Sequence, residues 1–125
     1  MRETKRYYLK MLRVEIEDLR EDIDLLIEEY NRLHEKEQLS NYVFSENLIV
    51  FRKELLGVDA FFRLLDETDP NRFVTLDDLV AHLTATFKDM VRQSSLPAII
   101  ESYVERKLLK VREYILARRE DDAVR

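Results

Sequence analysis

Cysteine is absent from this chain of 125 residues, glycine occurs once and proline twice. Without cysteine the chain has no disulfide, no thiolate metal ligand and no cysteine nucleophile. A single glycine excludes a glycine-rich phosphate-binding loop. Together, the glycine and proline residues are too few for the many turns of a β-sandwich or barrel. These absences favour a helical protein.

Long hydrophobic runs are also missing. No stretch approaches the ~18 to 20 uncharged apolar residues that span a bilayer, and the charged start is not followed by the apolar run of a secretory signal. Hydrophobic residues make up 46% of the chain and charged residues 38%, which suits amphipathic helices. The formal net charge of −5 gives no overall attraction to nucleic acid. We therefore expect a soluble, cytoplasmic domain without a membrane span.

Apolar residues in the first part of the chain are spaced alternately three and four apart. They are Leu9, Leu12, Ile16, Leu19, Ile23, Leu26, Tyr30 and Leu33. This spacing gives a narrow apolar seam on a helix that packs against other helices over most of its length. It predicts a long, coiled-coil-like first helix over about residues 4–36.

Three further helical segments follow, over about residues 41–67, 76–92 and 96–119. Short connections between long amphipathic helices favour antiparallel neighbours. The predicted fold is therefore all-α, a single domain over residues 1–119 that forms a four-helix up-down-up-down bundle. Residues 120–125 are expected to form a flexible polar tail.

The second segment has apolar residues on most of its circumference, which predicts a central helix that is buried on most sides. We expect Phe51, Leu55 and Phe62 to be almost fully buried there. Gly57 lies in the middle of this helix, where glycine costs ~1 kcal/mol relative to alanine. It indicates either a close helix crossing with at most a small kink, or a hinge that divides the helix in two.

The predicted helices differ in length. At 1.5 Å per residue the first helix is roughly 50 Å long and the third about 25 Å, so the first helix should extend beyond a short bundle. We expect a second copy of the chain to cover the overhanging seam. The predicted homodimer contact consists of Leu9, Leu12, Ile16 and Leu19. The sequence leaves open whether the two copies are parallel or antiparallel.

Positive charge is concentrated near two ends of the sequence. Residues 1–13 contain five cations and one acid, residues 14–37 contain three cations and ten acids, and residues 101–119 contain six cations and three acids. In an up-down-up-down bundle the two basic segments meet at one end, which we call the basic pole. Its residues are Arg2, Lys5, Arg6, Tyr7, Tyr8, Lys10, Arg13, Lys110, Tyr114, Arg118 and Arg119. The basic pole predicts a docking site for an acidic protein, nucleic acid or an anionic membrane; the alternative is a solvated helix end.

Histidine occurs twice, and neither position suits a known bundle chemistry. His34 and His82 lack the glutamate three residues earlier that di-iron bundles use, since those positions are Asn31 and Leu79. His34 is expected to cap the end of the first helix. His82 is followed by neither the lysine nor the glycine that usually follow the histidine of phosphotransfer bundles. We identify no catalytic, cofactor-binding or metal-binding residue.

These observations predict a non-enzymatic interaction or assembly module, homodimeric, that docks a partner through the first helix and the basic pole. Two alternatives from other classes stay open. One is a nucleic-acid-binding protein that uses the basic pole. The other is a phosphotransfer protein or another bundle enzyme centred on His82. The sequence does not identify the partner or the pathway.

Overall fold

The computed structural model describes the backbone of residues 2–124 and the side chains of residues 4–118. Within that part the chain forms helices and no strand. The elements are α1 (Arg2–Glu35), α2 (Asn41–Glu67), a 3₁₀ turn (Pro70–Arg72), α3 (Leu76–Gln93) and α4 (Ala98–Val124). Sequential helices pack against one another and α4 returns to α1, so the predicted all-α four-helix bundle is confirmed.

Helix ends follow from local capping. Ser40 accepts a hydrogen bond on Oγ from the backbone N–H of Val43, at 3.2 Å, and starts α2. Thr75 accepts from the N–H of Asp78 at 3.0 Å while the Asp78 carboxylate accepts from the N–H of Thr75 at 3.4 Å. This reciprocal pair is a capping box, which starts α3. The backbone of α4 continues to Val124 and includes residues that the sequence assigned to a tail.

One hydrophobic core lies between the four helices. Its fully buried members include Leu12 and Ile16 of α1, Val58 and Phe61 of α2, Leu79, Leu83 and Phe87 of α3, and Ile100, Val104 and Leu108 of α4. The rings of Phe61 and Phe87 meet edge to face with their centroids 5.1 Å apart. This contact joins α2 to α3 near the centre of the bundle.

The predicted burial of Phe51, Leu55 and Phe62 is wrong, because all three are only partly buried at the margin of the core. They lie on the side of α2 that faces α1. Phe62, for example, lies under the guanidinium of Arg13, which is 5.4 Å from the ring centroid. The stripe that faces the bundle centre is the one that contains Phe61.

Gly57 marks a close crossing between α2 and the start of α4. The helix α2 continues through this residue from Asn41 to Glu67, so the hinge alternative is not observed. A Cβ atom added to Gly57 would lie 3.0 Å from Cγ1 and 3.2 Å from Cγ2 of Ile100, whose side chain is fully buried. The absence of a side chain therefore allows the two helices to approach closely.

We expect Gly57→Ala to lower the free energy of unfolding by about 1 kcal/mol in urea denaturation. Helix propensity alone would favour alanine by ~1 kcal/mol, but the added methyl group must displace the stiff, buried side chain of Ile100, and overpacking costs ~1 to 3 kcal/mol. In an Ile100→Ala background, which removes the contact, the same substitution should become neutral or stabilising. A gain in stability from Gly57→Ala alone would contradict the close crossing.

Charged side chains are buried at the two ends of the core. Lys5 donates a hydrogen bond from Nζ to the carbonyl oxygen of Phe73, which attaches the connection before α3 to the start of α1. Glu54 is buried at the opposite end, near the close crossing, and its burial raises the pKa of its carboxyl group. Glu54 marks the level at which the enclosed core of the bundle ends.

Candidate functional site

The four helices overlap along only part of their length. Arg20 of α1 forms an ion pair with Asp59 of α2, and Tyr30 of α1 meets Phe51 of α2, so these two antiparallel helices stay paired well beyond the start of α4. Because α4 begins near Gly57, the last part of α1 and the first part of α2 extend past α3 and α4. We call this extension, residues 24–53, the helical hairpin.

The predicted dimer contact lies at the other end of α1. Leu12, Ile16 and Leu19 are buried within the single chain and Leu9 is partly buried. These residues are covered because α4, which is longer than α3, runs antiparallel to α1 along the first half of α1. This part of the seam is therefore not an exposed surface, and the overhang predicted from the unequal helix lengths falls on the hairpin.

The hairpin contains many apolar side chains and none that is buried. Six of its large apolar side chains expose 40 to 75% of their surface. They are Leu25, Leu26, Tyr42, Val43, Ile49 and Val50. Single exposed apolar residues are ordinary, so the side chains that share one side of the hairpin are of most interest.

Four of the apolar side chains continue the stripes that face the core in the bundle. Leu26 lies one heptad after the buried Leu19, and Leu33 one heptad further. Val50 lies one heptad before the buried Gly57, and Val43 one heptad earlier still. Heptad spacing keeps residues on the same side of a helix. We call Leu26, Leu33, Val43 and Val50 the open face, because α3 and α4 have ended at this level.

Contacts between its own helices hold the hairpin together. The rings of Tyr30 and Phe51 meet edge to face with centroids 5.0 Å apart. His34 stacks on Phe44 at 4.1 Å, and its Nε2 shares a hydrogen bond with Oδ1 of Asn41 at 2.7 Å. His34 lies in the last turn of α1, as expected, and also joins the two helices at the tip. The open face is therefore presented by a formed pair of helices.

The start of α1 and the last part of α4, which carry the basic pole, lie side by side. Arg118 of α4 donates a hydrogen bond from Nη1 to the hydroxyl oxygen of Tyr7 of α1, at 3.0 Å. Its guanidinium also lies 5.6 Å from the centroid of the Tyr7 ring. Arg6, next to Tyr7, therefore lies at the same end of the domain as Arg118. The exposed Tyr114 belongs to the same helix end.

Two predicted residues of the basic pole are not on the surface. Lys5 and Tyr8 are buried, because the core-facing stripe of α1 extends to its first turns. The Tyr8 hydroxyl donates to the carbonyl oxygen of Leu108 at 2.9 Å, and burial raises the pKa of this phenol. Both residues therefore serve the core. The side chains of Arg2 and Arg119 lie outside the described residues.

Other cations of the basic pole have carboxylate partners in the same chain. Arg13 pairs with Asp66, and Lys110 donates to Oε1 of Glu15 at 2.7 Å. The Lys110 hydrogen bond, with a second from Lys107, holds the pKa of Glu15 below its usual value. These pairs neutralise two cations of the basic pole.

Two cations of the basic pole are available to a partner. Arg6 and Lys10 are exposed and have no ion pair among the side chains that the structure describes. Both lie near the start of α1. The basic pole therefore offers a smaller free charge than the sequence suggests.

His82 is exposed on α3, and its ring lies 4.9 Å from that of Phe73. Among the described side chains, no three His, Asp or Glu residues converge on a point where they could bind a metal ion. None of the helices, over the residues described, combines the length and hydropathy that a bilayer span requires.

No protein-family model, curated protein or solved structure matches this chain.

Proposed function

We propose that the protein is a non-enzymatic assembly module and that the open face of its helical hairpin docks a helical partner. The observation that supports this most directly is a contrast within one heptad series. Leu19 exposes 7% of its surface, whereas Leu26, one heptad later on the same helix, exposes 44%. The same stripe is thus covered in the bundle and uncovered on the hairpin.

The chemistry of the open face selects a helical partner. The hairpin backbone is hydrogen-bonded within its own helices, so it offers no strand edge to which an extended peptide could add. Its apolar side chains lie along two adjacent, antiparallel helices, and in the bundle the same stripes are covered by helices. Ridges of side chains on another helix fit this kind of surface.

The apolar area is enough for a modest affinity. Burying a half-exposed Leu or Val side chain contributes about 1 kcal/mol, at ~25 cal/mol per Å² of apolar surface. The four side chains of the open face would together contribute about 3 to 4 kcal/mol, from which the cost of association is subtracted. Such a surface supports weak, reversible docking.

The basic pole supports the alternative function, nucleic-acid binding, less well. Arg13 and Lys110 are paired with carboxylates, and Lys5 is buried. Affinity for nucleic acid depends on the number of phosphates that free cations neutralise. A phosphotransfer role for His82 is supported by its exposure alone. We therefore base the proposed function on the hairpin.

A site-specific photo-crosslinker tests the proposed function in the cell that makes the protein. With p-benzoylphenylalanine in place of Val50, we expect irradiation to give an adduct of one defined mass. Val14, which is 55% exposed on the outer side of the bundle, provides the matched control position and should give none. Leu26→Asp should remove the adduct, since a charge on the open face opposes apolar docking. Equal adduct yields at positions 50 and 14 would refute the proposal.

A further inference from the structure

We infer that the partner of the hairpin is a second copy of this chain, turned end for end, so that two hairpins complete one antiparallel four-helix unit. This inference rests on the proposed function and specifies its partner. A symmetric pair needs a surface that is complementary to itself. The hairpin is such a surface. Its two antiparallel helices carry an apolar face, and a pair of antiparallel helices is also what would cover that face.

A partner that covers the open face must supply two antiparallel helices. In the bundle, the core-facing stripes of α1 and α2 are covered jointly by α3 and α4, which are antiparallel to each other. The hairpin carries these stripes over roughly 12 further residues of each helix, or about 18 Å. A second hairpin has two antiparallel helices of the same length, and its own apolar face is exposed in the same way.

The direction of the second copy follows from the space available. On this side of α1 and α2, the volume next to the bundle is already filled by α3 and α4. A copy in the same direction would place the bundle part of its own α1 and α2 in that volume. A reversed copy brings only its hairpin to the open face, and its tip then stops at the connection between α3 and α4, residues 94–97.

Helix ends and charges are complementary in this reversed arrangement. The second copy's α2 begins where α3 ends, and its α1 ends where α4 begins, so the negative end of one helix meets the positive end of another at both junctions. Charge complementarity follows the same geometry. The end of α3 carries the exposed Lys88, Asp89 and Arg92, with a net charge of +1, and the hairpin tip carries the exposed Glu35, Lys36 and Glu37, with a net charge of −1. Among the described side chains none of these six has an ion pair.

The contact area implies a weak dimer. Two helices of about 10 Å diameter and about 18 Å length present a projected area of about 360 Å². Standard protein interfaces bury ~800 Å² of accessible surface on each partner, so this contact belongs among the small, reversible ones. We expect the monomer and the dimer to exchange in the micromolar range or above.

The absence of cysteine makes the contact directly testable. The reversed arrangement brings Leu26 opposite Leu33 of the partner subunit, whereas identical residues of the two copies lie about two helical turns, or ~10 Å, apart. Disulfides require Cα atoms within ~7 Å. When differently tagged Leu26→Cys and Leu33→Cys proteins are mixed and oxidised with copper phenanthroline, the mixed dimer should exceed either homodimer several-fold. Val14→Cys is the control and should form little dimer.

Sedimentation velocity of the full chain provides the second measurement. Between about 10 and 500 µM, the mean mass should rise from 15.1 kDa toward twice that value. Leu26→Asp should stay monomeric while Val14→Asp behaves as the unmodified protein. A chain that is monomeric at every concentration, or homodimer disulfides that equal the mixed one, would overturn the inference. If the Val50 photo-adduct then has a mass other than two chains, the docking function stands and only the second copy is refuted.

Discussion

Phe61→Ala is expected to lower the free energy of unfolding by about 3 to 5 kcal/mol. The Phe61 ring is fully buried and meets the ring of Phe87 edge to face, so truncation removes buried apolar surface and an aromatic contact and leaves a cavity. A domain of this size has a total stability of ~5 to 15 kcal/mol, so the loss is a large fraction of the whole. Urea denaturation followed by circular dichroism measures it.

Phe51→Ala is the matched control for this prediction. It removes the same side chain from the same helix, but Phe51 lies in the hairpin, is only partly buried and packs on one ring, that of Tyr30. We expect a loss of about 1 to 2 kcal/mol, since less apolar surface returns to water. Equal losses at Phe51 and Phe61 would mean that the hairpin is packed as tightly as the bundle.

The difference between these two phenylalanines shows what the sequence of α2 could not reveal. Apolar residues surround most of this helix, and burial was predicted for Phe51, Leu55 and Phe62. Phe51 and Phe62 face α1. The stripe with Phe61 faces α3 and the bundle centre. Periodicity identifies apolar stripes on a helix, but which stripe is enclosed depends on how many helices cover it.

Helix number and order, and the start of α3, were predictable because local chemistry determines them. The Thr75–Asp78 capping box and Pro70 act within a few residues of chain, and the bundle follows from short connections. The end of α1 that overhangs was not predictable. It depends on the level at which α4 begins, and that level is associated with the crossing of Gly57 and Ile100, residues far apart in sequence.

The charge of the basic pole, too, was only partly predictable from the sequence. Counting residues predicted a cluster of cations where α1 and α4 meet, and the contact between Tyr7 and Arg118 confirms that these ends are together. The count could not show that Lys110 would be neutralised by Glu15, which lies on another helix. Ion pairs between helices depend on their relative rotation, which a single sequence does not contain.

Leu12→Asp is expected to abolish cooperative folding. Leu12 is fully buried between the helices, and aspartate there would lose the apolar contacts, at ~2 to 5 kcal/mol, and would also bury a carboxylate. The nearest cations do not offset this cost, because Arg13 already pairs with Asp66 and Lys10 lies on the exposed side of α1, away from the buried Leu12. The sum reaches or exceeds the ~5 to 15 kcal/mol that holds a domain together. Far-ultraviolet circular dichroism at 25 °C should show a large loss of helix.

Leu26→Asp is the decisive comparison, since it makes the same change two heptads later on the same helix. Its side chain is 44% exposed on the open face, so the new carboxylate stays in water and the loss should be about 1 kcal/mol or less. The two substitutions would be equivalent if the seam of α1 were enclosed along its whole length. A folded Leu12→Asp protein, or an unfolded Leu26→Asp protein, would contradict the position of the overhang. The predicted contrast follows if the seam of α1 is enclosed in the core at Leu12 and exposed at Leu26, where another helix pair can reach it.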